Sequence, residues 1–296
     1  MDGVTLLETR HPNPDAARQF QSLLGVDEHK HVLLEQLRLL LDPTRLDDWL
    51  SKHHPRGLPL VDRAGGTSPL IILAGEVGCG KTALATSIGT PLAEHLDRRL
   101  VTLETPANIR GSGHVGELSL RLSAAFDQAR QRIGNSRGGM LIIDEGDDLA
   151  ASREQEQAHH EDRAGLNVLV KQLDQVARAR LPMAVVLITN RLDALDPAIR
   201  RRASLTLTFG RPNAAQRAQL FASLLAGVPH GPADPETLAA LSEHPVGYAW
   251  SDLVHRVGRR ALLAALAGDR PLSVGDLREA IAQTEPSPRL GSRGAR

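Results

Sequence analysis

Cysteine is almost absent: Cys79 is the single one in 296 residues. That excludes an intramolecular disulfide and leaves the redox compartment unconstrained from within. Aromatic residues make up only 2% of the chain, too few for the stacking platforms that grip single-stranded nucleic acid. Charge of one sign is also missing, since 35 basic residues meet 35 acidic ones. A neutral chain lacks the broad electrostatic footprint of a protein that coats nucleic acid or an anionic membrane, though local basic patches survive. No apolar run approaches the roughly 18 residues of a membrane span, and Met1 to Arg18 lacks the basic-then-apolar order of a secretory signal. A cytoplasmic protein is expected. No repeat with the period of a solenoid or propeller is present either. What remains is a chain long enough to bury about three quarters of the surface its unfolded form would expose, with no need of metals or disulfides to hold its core.

Short apolar runs read as buried strands at Leu70–Leu73, Leu100–Leu103, Met140–Ile143, Val185–Ile188 and Leu205–Leu207. Amphipathic stretches lie between them, such as Glu117 to Arg132 with Leu118, Leu122, Ala125, Phe126 and Ala129 on one face. The alternation predicts an α/β fold with a parallel five-stranded sheet flanked by helices. Asp27 to Leu41 reads as a helix stopped by Asp42-Pro43, and Arg56 to Ser68 as a loop. After Arg211-Pro212 the strand signal ends and only helices follow, at about 214–226, 235–242, 251–267 and 273–283. The expected organisation is therefore an N-terminal extension over 1–22, a large α/β domain over 23–210, a small helical lid over 211–285 and a disordered tail over 286–296.

Gly75-Glu76-Val77-Gly78-Cys79-Gly80-Lys81-Thr82 matches G-x-x-x-x-G-K-[ST] in full, between a predicted strand and a predicted helix. The glycines let backbone N–H groups curl inward, and the following helix adds partial positive charge at its N-terminus; together these hold phosphates. The nucleotide-binding set is Val77, Gly78, Cys79, Gly80, Lys81, Thr82 and Ala83, with Lys81 on the terminal phosphates of ATP and Thr82 on Mg²⁺. Cys79 occupies a variable position of such loops, and redox control through it is disfavoured.

The strand Met140–Ile143 runs into Asp144 and Glu145. Two adjacent acids at the carboxyl edge of a parallel sheet divide the work: Asp144 holds Mg²⁺ through water, and Glu145 orients and deprotonates the attacking water. A helix N-cap would account for Asp144 alone. At the end of the next strand Asn190 is placed to share that water, on the expectation that the phosphate loop follows the central strand. Asp196-Pro197 caps a short helix that ends in Arg200, Arg201 and Arg202. On a lone domain these are a solvated basic helix end, whereas in a ring they reach a neighbour's γ-phosphate.

The order of phosphate loop, Asp144-Glu145, Asn190, Asp196-Pro197-Ala198 with its arginines, and a helical lid resembles the AAA+ ATPases of the AAA clade over about residues 23–284. The resemblance implies ATP and Mg²⁺ as ligands, a homo-hexamer, an adenine-contacting entry at Gly25-Val26, and a finger at Arg202 first and Arg201 second. It also implies a substrate pore loop at His114 and Val115, where His114 stands in the family's aromatic place. Arg163 to Val176 and Arg202-Ala203-Ser204 are similar to the pachytene-checkpoint ATPases, which remodel HORMA-domain proteins. The short stretch before Gly25 is similar to their bacterial branch, found with HORMA proteins and cyclic-oligonucleotide synthases in antiphage signalling. The lid sequence Gly247 to Leu253 has no Arg where many AAA+ proteins place a nucleotide sensor. His and acidic residues between Ala151 and Arg163 are expected to form a solvated second pore loop rather than a metal site.

Three function classes stay open. A ring-forming remodeller that pulls on a protein partner is favoured. A nucleic-acid motor or loader would rely on Arg256, Arg259 and Arg260, and a slow ATP-dependent switch would act by conformation alone.

Overall fold

Each of the five apolar runs becomes a strand, and a sixth strand joins them from the N-terminal segment. The computed structural model describes residues 4–42, 44–64, 68–107, 109, 116–134, 138–149 and 160–289. The strands are β1 Leu7–His11, β2 Leu70–Gly75, β3 Leu100–Glu104, β4 Gly139–Ile143, β5 Met183–Thr189 and β6 Ala203–Phe209, in the spatial order β1-β3-β4-β5-β2-β6. The pairs β3–β4, β4–β5 and β2–β5 are parallel, and β1 runs antiparallel to β3. The expectation of five parallel strands is thus corrected to six strands with an antiparallel edge. Leu-Glu-Thr-Arg-His has no apolar run to announce it, because an edge strand leaves most of its side chains at least partly accessible; Leu7 is 63% exposed. The phosphate-loop strand is not central either. β2 lies second from one edge, and β5 separates it from β4.

The helices follow in chain order as α1 Pro14–Ser22, α2 Asp27–Leu41, α3 Thr44–His53, α4 Pro59–Ala64, α5 Lys81–Ser87, α6 Gly89–Leu96, α7 Glu117–Gly134, α8 Gly146–Leu149, α9 His160–Arg178, α10 Pro197–Arg200, α11 Ala214–Leu224, α12 Asp234–Leu241, α13 Arg259–Ala267 and α14 Val274–Ala282. Helix α4 occupies part of the stretch expected to be a loop, and its Pro59 opens the first turn, where no N–H is required.

Two compact units emerge: Met1–Ser22, Glu28–Ala74 and Thr82–Thr208 form the first, and Leu23–Asp27, Gly75–Lys81 and Phe209–Arg296 the second. In the first, all residues of β4 and β5 are buried, as expected for parallel strands covered on both faces. Helix α7 buries Leu118, Leu122, Ala125, Phe126, Ala129 and Ile133 into a core shared with Leu166, Leu169, Leu173 and Val176 of α9. These two helices approach closely at Gly165, where an added Cβ would stand 2.5 Å from Leu118 Cδ2. Each fully buried Leu or Ile contributes about 1.5–3 kcal/mol, so this shared apolar face is what holds α7 and α9 to the sheet.

The second unit has its own core of Leu220, Phe221, Leu225, Leu238, Leu253 and Leu277 among others. The helix predicted over 251–267 is in fact two segments: a π-helical stretch, Asp252–Gly258, runs into α13. Residues 286–289, expected to belong to a disordered tail, are held by hydrogen bonds from Arg211 to the carbonyls of Ser287 and Pro288 and from Arg289 to that of Val246. The remaining tail residues, 290–296, lie outside those described. No helix among the described residues is long and apolar enough to cross a membrane.

His11 ties β1 into the first unit. Its ring is 2% exposed, with Nδ1 2.9 Å from Thr90 Oγ1 and Nε2 2.9 Å from Thr102 Oγ1. Burial lowers its pKa from 6.5 to about 4. The unfolded chain therefore binds more protons between those values, so this contribution is full above pH 6.5 and drains away as pH falls toward 4. His11→Gln is expected to be destabilised at pH 7 and to close that gap to the parent at pH 4.5, as read from urea unfolding midpoints. A gap independent of pH would contradict the assignment.

Candidate nucleotide site

Strand β2 delivers the phosphate loop, and helix α5 begins at Lys81. The loop turns through glycines in the left-handed region: Gly75 (φ 131°), Gly78 (φ 73°) and Gly80 (φ 92°). Space forbids a side chain at two of them, since a Cβ on Gly75 would lie 2.0 Å from the Phe209 carbonyl oxygen and one on Gly78 2.0 Å from Ser251 Oγ. Lys81 is 5% exposed, and its ammonium donates to the carbonyls of Gly75 and Glu76 at 2.8 Å each. Val77 is exposed and Ala83 half-buried. Cys79 is buried; burial pushes its thiol up, with Lys81 and Arg211 pulling the other way. A buried thiol held protonated is a poor redox sensor.

Gly25 (φ 67°) sits against Trp250, whose ring carbons would lie 2.6 and 2.7 Å from an added Cβ, and its carbonyl accepts a hydrogen bond from Gln216 Nε2 at 2.7 Å. Val26 is buried beside it in sequence. The entry segment, the loop and the residues after 209 fall in one compact unit.

Within the first unit, acids stand at the carboxyl ends of β3, β4 and β5. Thr82 Oγ1 donates to Asp144 Oδ2 at 2.8 Å, which joins the last residue of the phosphate loop to the first acid after β4. Both atoms are oxygens suited to a hard cation such as Mg²⁺. Glu145 is exposed and left-handed (φ 57°), and its N–H donates to Asp144 Oδ1 at 2.8 Å. A non-glycine residue in that region is uncommon and turns the Glu145 side chain away from the direction a continuing strand would give it. Asn190 follows β5 and is half-buried.

Two acids escaped the sequence reading. Asp147 accepts hydrogen bonds from the Thr189 hydroxyl and from the backbone N–H groups of Asn190 (2.9 Å) and Arg191 (3.2 Å), so it fixes the turn that carries Asn190. Its signal was a further acid two residues after Glu145. Glu104 closes β3, and its carboxyl is raised by burial and then by the charge of Asp144. Its only signal was an acid ending an apolar strand.

Asp196 caps α10 by accepting from the Ala198 N–H at 2.7 Å, as its Asp-Pro sequence predicts. Arg202 is engaged within the chain: Nε reaches Asp174 Oδ1 at 3.2 Å and Nη1 the Ala198 carbonyl at 3.3 Å. The Arg201 side chain is exposed and makes no hydrogen bond or ion pair among the described residues. His114 and Val115 lie outside the described residues, as does most of the expected second pore loop. No cluster of three or more metal-ligating side chains occurs among the described residues. A cleft of about 260 Å³ in the second unit is lined by His255, Arg256, Arg259 and Arg260, but Arg256 pairs with Asp252 and Arg260 with the Gln283 carbonyl.

Comparison with known proteins decides the family. The model for the ATPase family associated with various cellular activities (AAA) matches residues 71–211. The CD-NTase-associated protein 6 of Escherichia coli (strain MS 115-1) is 39% identical over 297 residues, covering 96% of this chain and 95% of that protein. The chain belongs to the AAA family of ATPases. A chain in the solved E. coli MS115-1 HORMA:CdnC:Trip13 complex matches this AAA protein with a TM-score of 0.88 and 38% identity, covering 96% of this chain and 97% of that one. Trip13 from Rhizobiales matches with a TM-score of 0.74 and 31% identity over 95% and 98% of the two chains. AAA membership implies nucleotide binding in general.

Asp147→Ala removes an acceptor from the buried Thr189 hydroxyl and from the half-buried Asn190 N–H. The unfolding free energy should fall by about 1–3 kcal/mol, measured by urea titration. An unchanged midpoint would show that water replaces the carboxylate at no cost.

Proposed function

We propose that this AAA protein hydrolyses ATP in a homo-hexameric ring and uses the turnover to remodel a HORMA-domain protein that acts with a cyclic-oligonucleotide synthase. The observation that carries the hydrolytic part is the Thr82–Asp144 hydrogen bond beside an exposed Glu145. The partner is supported by the similarity over 96% of the chain to the subunit found with HORMA and CdnC.

In this reading the N–H groups of Val77 to Lys81 and the Lys81 ammonium bind the phosphates of ATP. The Thr82 hydroxyl and Asp144 would hold Mg²⁺, which would supply charge neutralisation at the phosphates. Glu145 accepts a proton from a water that attacks the γ-phosphorus in line; the bond to the β-phosphate oxygen breaks, and ADP and phosphate leave. Asn190 orients that water from the neighbouring strand end. Gly25 and Val26 contact the adenine side. Arg201 or Arg202 completes a neighbour's site, and a finger of this kind is worth about 10³–10⁵ in rate. Arg201 is free to reach out, whereas Arg202 must first exchange Asp174 for the neighbour's phosphate. His114 and Val115 would grip the substrate segment in the pore, and an imidazole there makes a weaker wedge than an aromatic ring. The basic cleft lends little to a nucleic-acid motor, because two of its arginines are already bonded within the chain.

Glu145→Gln should bind ATP with near-parental affinity while turnover falls at least a hundredfold, with stable rings visible by light scattering. Parental turnover would remove Glu145 from the mechanism. Mixing Arg201→Ala/Arg202→Ala subunits with Lys81→Ala subunits should recover part of the activity that neither has alone, since each supplies what the other lacks. Absence of recovery at every ratio would argue against a shared site.

A further inference from the structure

A buried arginine outside the phosphate-loop motif joins that loop to the C-terminal segment. The Arg211 side chain is 7% exposed, and its Nε donates to Glu76 Oε2 at 2.7 Å. Its other nitrogens donate to the carbonyls of Gly247 (2.6 Å), Ser287 (2.8 Å) and Pro288 (3.2 Å). The planar fork of a guanidinium serves one carboxylate and three carbonyls at once, which an ammonium cannot do.

Both ends of this bridge are themselves fixed. Glu76 is the second residue of the phosphate loop; its N–H donates to the Phe209 carbonyl at 3.3 Å, and its carbonyl accepts from the Lys81 ammonium at 2.8 Å. A shift of Glu76 therefore moves an acceptor of the lysine that faces the nucleotide phosphates. At the other end, Ser287 donates its N–H to Asp252 Oδ2 at 3.0 Å and its hydroxyl to Asp252 Oδ1 at 2.6 Å. Asp252 is 1% exposed, and it also accepts from the Ala249 N–H at 3.0 Å and from Arg256 at 3.1 Å. Arg289 adds a second hold, donating to the Val246 carbonyl at 3.0 Å with its Nε 3.8 Å from Glu76 Oε1. A second brace meets the loop at Gly78, whose carbonyl accepts from the Ser251 N–H at 3.1 Å, one residue before Asp252.

We propose that Arg211 is a positioning residue for the phosphate loop, and that the segment Ser287–Arg289 is a strap that keeps Arg211 on Glu76, so that the C-terminal segment sets the affinity for nucleotide phosphates. The proposal rests on the ATPase reading. It assigns a role in nucleotide binding to a segment whose Pro, Ser and Gly composition reads as a tail.

The test uses the full chain, Glu76→Gln, Arg211→Lys, a chain ending at Glu285, and the Glu76→Gln chain ending at Glu285. ATP turnover against ATP concentration and titration with a fluorescent ADP analogue are the readouts. Glu76→Gln and the shortened chain should each raise KM and the ADP-analogue Kd about tenfold, as for loss of one charge-assisted hydrogen bond, with kcat at saturation within about twofold of the parent. Combining them should add little to the larger single effect, because both act through one arginine. Arg211→Lys, which keeps the charge on Glu76 but loses the fork, should fall between parent and Glu76→Gln. Parental KM and Kd in Glu76→Gln, or effects that multiply in the combined chain, would overturn the proposal and leave the ATPase reading standing. A parent that binds no nucleotide would overturn both. Glu76→Gln keeps the shape of a half-buried side chain, so its result decides the matter even if the shortened chain fails to fold.

Discussion

Parallel pairing brings the carboxyl ends of β3, β4, β5 and β2 to the same end of the sheet, and that constraint underlies the cluster of Thr82, Asp144, Asp147 and Asn190. Ala74 of β2 pairs with Thr189 of β5, and Ile143 of β4 with Leu187, so strands distant in sequence end within a residue or two of one another. The Thr82–Asp144 hydrogen bond and the Asp147 contacts to Thr189, Asn190 and Arg191 are consequences of this register. A slip of one residue in any of these pairs would turn the site acids to the other face.

Polar contacts then refine what the register brings together. Asp144 bonds both Thr82 and the N–H of Glu145, which leaves Glu145 exposed with its backbone in the left-handed region. Strain of that kind costs about 1–3 kcal/mol and persists only where neighbours enforce it. Gly146 follows with no room for a side chain, since a Cβ there would stand 2.8 Å from Leu187 Cδ1. The carboxylate assigned to the water is thus separated from the one assigned to the metal by backbone geometry rather than by spacing alone.

Much of this was legible in the sequence because it rests on local chemistry. The bounds of α2, Asp27–Leu41, follow from its apolar period and from Asp42-Pro43. The buried face of α7 contains every residue its periodicity selects. The phosphate loop, the acid pair and the Asp196 cap are contiguous motifs whose residue types leave few alternatives. Long-range polar contacts gave no comparable signal. β1 is held by a histidine between two threonines rather than by apolar side chains. Asp147 looks like any solvated acid until the end of β5 is placed against it. Arg211 looks like one basic residue among 31 arginines, and only folding brings Glu76 and Ser287 to it. The π-helical stretch 252–258 was invisible because its spacing reads as ordinary helix.

The central claim is that neighbouring subunits complete each other's sites and that a HORMA-domain protein is the substrate of the resulting work. The most direct measurement is the ATPase rate per subunit as a function of protein concentration, with and without a HORMA-domain protein encoded beside this chain. The account predicts a rate per subunit that climbs with concentration as rings form and climbs again when the partner is added. A rate independent of both would contradict it and leave an ATPase that acts alone.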